Sequence, residues 1–145
     1  MDEVDRWSVA EGTLNRTTAI VRVRRGRPSH HGEMPTRLQV FWKMTEAEED
    51  GMPSEAESFR LERFEDRICS AIDHDGQSIL MLALTSNGQR EFVFYTKDPE
   101  EFLARLTAMP QEKERYPVRI QAHSDPEWSF WQGLRNQTAG ADRRD

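Results

Sequence analysis

Residues 84–102 read Leu-Thr-Ser-Asn-Gly-Gln-Arg-Glu-Phe-Val-Phe-Tyr-Thr-Lys-Asp-Pro-Glu-Glu-Phe, and their punctuation sets three consecutive elements. Asn87-Gly88 tolerates positive φ at both positions, the requirement of a tight hairpin turn. The strand that ends there is returned by a second one at 90–96, where Phe92 and Phe94 alternate with Glu91, Val93 and Tyr95. Asp98-Pro99-Glu100-Glu101 then supplies an N-cap, a proline at the first helical position and acids where the helix dipole favours them. A helix carrying Phe102, Leu103 and Leu106 follows until Pro110.

Upstream, residues 79–84 form a nearly continuous apolar strand, the pattern of a strand buried on both faces. Ser54-Glu55-Ala56-Glu57 reads as a capping box, with Glu57 reaching back. Leu61, Phe64, Ile68 and Ile72 follow at helical spacing, which predicts a helix over 54–73. Strands are expected at 7–10, 18–24 and 37–43, with a Gly/Pro loop over 25–35. Strands 18–24 and 37–43 would close a hairpin at 18–43 and leave free sheet edges, through which a homodimer is expected to pair. Downstream, 117–122 is the last strand. Asp125-Pro126-Glu127 repeats the cap logic before a short helix with Trp128, Trp131 and Leu134 on one face. The expected fold is α+β: a ferredoxin-like β-α-β-β-α-β sheet extended by an N-terminal hairpin, with a short C-terminal helix. Residues 1–136 make one domain and 137–145 a disordered tail.

Composition narrows the function classes. The 145 residues carry a net charge of -6 and 36% hydrophobic residues, with a mean hydropathy of -0.84. Residues 44–76 hold eleven acidic and three basic side chains. That field repels a phosphate backbone, so nucleic acid is not the expected partner. There is neither a membrane-length apolar run nor a signal-like start, and the single cysteine, Cys69, fits a reducing compartment. Cytoplasmic localisation is expected.

Chemistry-bearing residues are sparse. The four histidines lack ligand spacing, and no metal site is expected; His74 is read as a helix-end cap. No Gly-rich phosphate loop or GxSxG elbow occurs, and no cofactor is expected. Cys69, near a helix C-terminus, is read as partly buried core whose thiol is held protonated. Glu65-Asp66, beside Glu62, is the most suggestive carboxylate cluster. Adjacent helix positions diverge by about 100°, so Glu62 and Asp66 share a side while Glu65 and Asp66 do not. Arg90 with Tyr95 is the other candidate, an anion-binding pair on a sheet face left open. Asp125 and Trp128 complete the set, Trp128 as an interface anchor or as packing for the terminal helix.

Three blocks match a family pattern: Gly51-Met52-Pro53 with Glu57, Leu61 and Glu65-Asp66; Thr85 with Gly88-Gln89-Arg90-Glu91-Phe92 and Phe94-Tyr95; and Tyr116 with Asp125-Pro126-Glu127-Trp128. In this order the sequence resembles the bacterial domain-of-unknown-function family 695 over about residues 5–135. The resemblance implies a small cytosolic α+β domain with no assigned reaction. Architectures of that kind sometimes join it to a domain similar to the protein regulator of ribonuclease activity type B, which implies regulation. The function expected is therefore a non-catalytic regulatory or protein-interaction module with an unknown protein partner. The alternative is a small hydrolase-type enzyme, or an anion or small-ligand binder, using Arg90 and Tyr95 with a carboxylate.

Overall fold

A computed structural model describes residues 3–110, 112 and 115–142. Six strands, β1 (Trp7–Leu14), β2 (Thr17–Arg24), β3 (Thr36–Lys43), β4 (Ser78–Ser86), β5 (Gln89–Thr96) and β6 (Val118–Ser124), build one sheet. Among the described residues three α-helices accompany it: α1 (Glu55–Ile72), α2 (Pro99–Ala108) and α3 (Ser129–Asp142). The sheet order is β1-β2-β4-β5-β3-β6, and every neighbouring pair is antiparallel. The molecule is α+β, and no described helix is long and apolar enough to cross a membrane.

The β4–β5 hairpin turns where expected, with Asn87 at φ 47° and Gly88 at φ 77°. A second turn of this kind, Asn15-Arg16 at φ 51° and 69°, closes β1 onto β2 and carries β1 four residues beyond its expected end. The hairpin predicted at 18–43 is not formed. Strand β2 pairs with β1 and β4, whereas β3 pairs with β5 and β6. The long 25–35 connection lets the backbone pass over the width of two strands, so the free edges are β1 and β6.

Side-chain alternation sorts the sheet into two faces. On one, Leu38, Val40, Trp42, Phe92 and Phe94 pack against Leu61, Phe64, Ile68 and Ile72 of α1 and Phe102 and Leu106 of α2. The spacing of those helical residues explains why the apolar stripe of α1 faces the sheet. Burying such side chains stabilises by about 1.5–3 kcal/mol each. On the other face Val23, Leu82, Val93 and Tyr95 pack against Trp128 and Trp131. The face read as open is thus covered over its centre by α3 and the residues leading into it. A β-bulge between Leu80 and Leu82 lets Met81 and Leu82 both join this second core.

Local chemistry departs from expectation at three helix ends. Ser54 caps α1 by accepting from Glu57 N, but the Glu57 carboxylate does not reach back. It accepts instead from Trp42 Nε1 (2.9 Å), Thr45 N (2.8 Å) and Glu46 N (2.8 Å). At the other end of α1, His74 is exposed, and Arg105 Nη1 donates to the Ile72 carbonyl. Helix α3 begins at Ser129, after Trp128 at φ 58°, and continues to Asp142. It therefore extends into the segment read as a tail; residues 143–145 of that tail lie outside the described residues.

Candidate functional site

Alternation along β5 decides which candidates meet. Arg90 pairs with Trp42 and Thr85, on the α1 face. Tyr95 pairs with Arg37 and Ile79, on the α3 face. The set that joins Arg90 to Tyr95 is therefore divided by the sheet itself, because an even and an odd residue of one strand point opposite ways.

Tyr95, Asp125 and Trp128 form one cluster. Tyr95 is fully buried, and its ring stacks on Trp128 with centroids 4.0 Å apart. Its hydroxyl donates to Asp125 Oδ2 at 2.6 Å. The same carboxylate accepts from Arg37 Nη1 (3.0 Å), Ser129 N (2.9 Å) and Phe130 N (3.3 Å). Burial acts to raise the Asp125 pKa, but the Tyr95, Ser129, Arg37 and Phe130 donors together hold it below the ordinary carboxylate range. Burial first, and then the Asp125 charge, push the Tyr95 phenol upward. Trp128 Nε1 donates to the Met34 carbonyl and Trp131 Nε1 to that of Arg24, each at 3.0 Å. Each polar group here has a structural partner, so the cluster fastens α3 to the sheet.

Glu65, Asp66 and Arg90 form the other set, and here the structure brings them together. A groove of about 500 Å³ opens between α1 and the sheet where β1 and β2 extend it. Glu62, Glu65 and Asp66 form the α1 wall; Val9, Ile20 and Ala83 give apolar floor, and Arg22 and Arg90 rise from it. Arg22 forms an ion pair with Glu65, and its guanidinium lies 4.8 Å from the centre of the Trp7 ring. Arg90 Nε donates to Thr85 Oγ1 at 2.7 Å. Burial lowers the Arg90 pKa, while Glu65 and Glu62 oppose the shift. The guanidinium stays charged at neutral pH, since an arginine titrates far above it.

Three carboxylates face two guanidiniums, so the groove has a surplus of one negative charge. Val9, on the floor, is 58% exposed. Phe59 is 67% exposed and precedes Glu62 and Asp66 by three and seven residues, on the same side of α1. Arg22 and Val9 were not legible as parts of a site. In the sequence Arg22 stands among Arg16, Arg24, Arg25, Arg27 and Arg37, a pattern that reads as solvated strand and loop positions.

Cys69 is half-buried, and burial, with Glu65 and Asp73, pushes its thiol up to about 12. That makes it a poor nucleophile. Among the described residues, no group of three or more His, Cys, Asp or Glu side chains is gathered as a metal ion needs.

A model of a family of unknown function, DUF695, matches residues 5–134. The protein belongs to that family. Comparison with curated proteins and with solved structures returned no match.

Proposed function

We propose that this domain is a non-catalytic protein-interaction module that receives a basic segment of its partner in the groove between α1 and the β1–β2 end of the sheet. The observation that carries this reading is the convergence of Glu62, Glu65 and Asp66 over an apolar floor that includes exposed Val9. A cationic side chain answers the negative surplus, and the exposed part of Val9 supplies apolar contact area. The acidic stretch around α1 would steer the encounter. The division of Arg90 from Tyr95 favours binding over a shared reaction centre. The same reading takes residues 36–124 as a ferredoxin-like unit. Its support is the strand order β6-β3-β5-β4, in which the fourth strand of the segment neighbours the first and the third lies between first and second.

Fluorescence anisotropy with labelled basic and acidic peptides tests the proposal. The basic peptide is expected to bind, and more weakly as salt rises. Glu62→Lys with Asp66→Lys is expected to weaken it by about tenfold or more, the equivalent of ~1.4 kcal/mol. Equal binding by the acidic peptide, or no effect of the double charge reversal, would contradict it.

A further inference from the structure

Arg90 is the feature of the groove that a simple acidic docking site does not need. A basic segment should be repelled by a guanidinium on the floor. Arg22 is neutralised locally by Glu65, whereas Arg90 donates to the neutral Thr85 hydroxyl. Among the described residues no carboxylate lies within ion-pair distance of it; Glu65 and Glu62 act on it only from further away. The Thr85 bond engages Nε, which leaves the two terminal nitrogens for a ligand. Thr85 is itself buried, so the guanidinium is fixed from behind and presented to the groove. A restrained guanidinium with two free nitrogens suits a planar carboxylate, which accepts two parallel charge-assisted bonds. A peptide carbonyl offers only one neutral acceptor.

We propose that the groove captures a polypeptide C-terminus that ends in a basic residue, with the terminal carboxylate on Arg90 and the basic side chain against Glu62 and Asp66. This deepens the interaction reading above and rests on it. Both charges of such a terminus are answered within one site, and the apolar floor of Val9, Ile20 and Ala83 takes the aliphatic stem of the lysine or arginine. A volume of about 500 Å³ falls in the range of ligand clefts, about 300–1,000 Å³. An internal basic segment would satisfy the wall and leave Arg90 without an anion.

The test uses the intact protein and an N-terminally labelled hexapeptide, Gly-Ser-Gly-Ser-Ala-Lys, as the free acid and as the C-terminal amide. The acid is expected to bind at least about tenfold more tightly than the amide, as the loss of a charge-assisted pair implies. Arg90→Gln is expected to abolish that difference. Thr85→Val, which keeps the guanidinium but frees its Nε, is expected to reduce it. The comparison of acid with amide needs no variant, so it stands even if Arg90→Gln fails to fold. If acid and amide bind equally, and both are weakened by Glu62→Lys with Asp66→Lys, the C-terminal capture is overturned while the basic-segment reading survives. If neither hexapeptide binds while the basic peptide of the preceding test does, C-terminal capture alone is overturned; if the basic peptide also fails, both readings are overturned. If free lysine competes as well as the hexapeptide at equal concentration, the ligand is an amino acid and capture of a polypeptide terminus is overturned.

Discussion

Asp73 ends α1 in a partly buried position, and burial lifts its carboxyl to about 6 against the pull of Arg24. The ordinary value is 3.8, so across that window the folded state keeps a proton that the unfolded state has released. Stability therefore falls as pH rises from about 4 to about 6, and it stays lowered above that. Asp73→Asn removes the titration. We expect it to raise stability at pH 8 by about 1 kcal/mol, a value discounted for solvent screening of a partly exposed group. Urea melts of both proteins at pH 4, 6 and 8 check this; a variant less stable than the parent at pH 8 would contradict it. Little of this is legible in the sequence, because burial belongs to the fold and not to the string Asp73-His74-Asp75. Glu57 illustrates the same limit. Its spacing from Ser54 fits a capping box, but Trp42, 15 residues earlier, is the donor its carboxylate meets. Burial acts to raise the Glu57 pKa, yet the donors from Glu46, Trp42 and Thr45 hold it low, so the side chain serves as a charged anchor for the loop after β3.

Among the elements, α3 depends most on one residue. Asp125 links Tyr95, Arg37 and the first amides of the helix. Removing it leaves a buried hydroxyl and a half-buried guanidinium without their acceptor. Asp125→Ala is expected to destabilise by about 2–4 kcal/mol. It should also raise the fluorescence of Trp128 and Trp131 accessible to a quencher, because the helix loosens from the sheet. A change below about 0.5 kcal/mol, the range of ordinary surface substitutions, would contradict the fastening role. Most elements were readable from local signals: the Asn87-Gly88 turn, the Ser54 and Asp98 caps and the apolar period of α1 all recur in the structure. The turn at Asn15-Arg16 was missed because arginine is a poor marker of positive φ. The bulge at Met81 was hidden because a continuously apolar run carries no parity. Gly51-Met52-Pro53 also acquires a reason. Gly51 has φ 84°, and a Cβ there would lie 2.8 Å from the backbone of Asn87, so the 44–53 loop can seat on the hairpin turn only with glycine at this position.

At the scale of the whole molecule, the groove exists because strands distant in sequence are neighbours. Glu65 and Arg22 stand 43 residues apart in sequence, and they meet because β2 joins the sheet beside β4 and not beside β3. Local pattern picked out Glu65, Asp66 and Arg90 one by one, but could not assemble them without the strand order. The same topology explains why Tyr95 was paired with the wrong arginine: its partner through Asp125 is Arg37, across β3. The central claim is that the groove, and not the fastened α3 face, is where the partner binds. Titration of ¹⁵N-labelled protein with the lysine-ended hexapeptide tests this most directly. The account predicts that the amide signals of Glu62, Glu65, Asp66 and Thr85 and the Arg90 Nε–H signal shift, while the indole signals of Trp128 and Trp131 stay in place. Shifts confined to the Trp128 and Trp131 side of the sheet, or to the β6 edge, would contradict it.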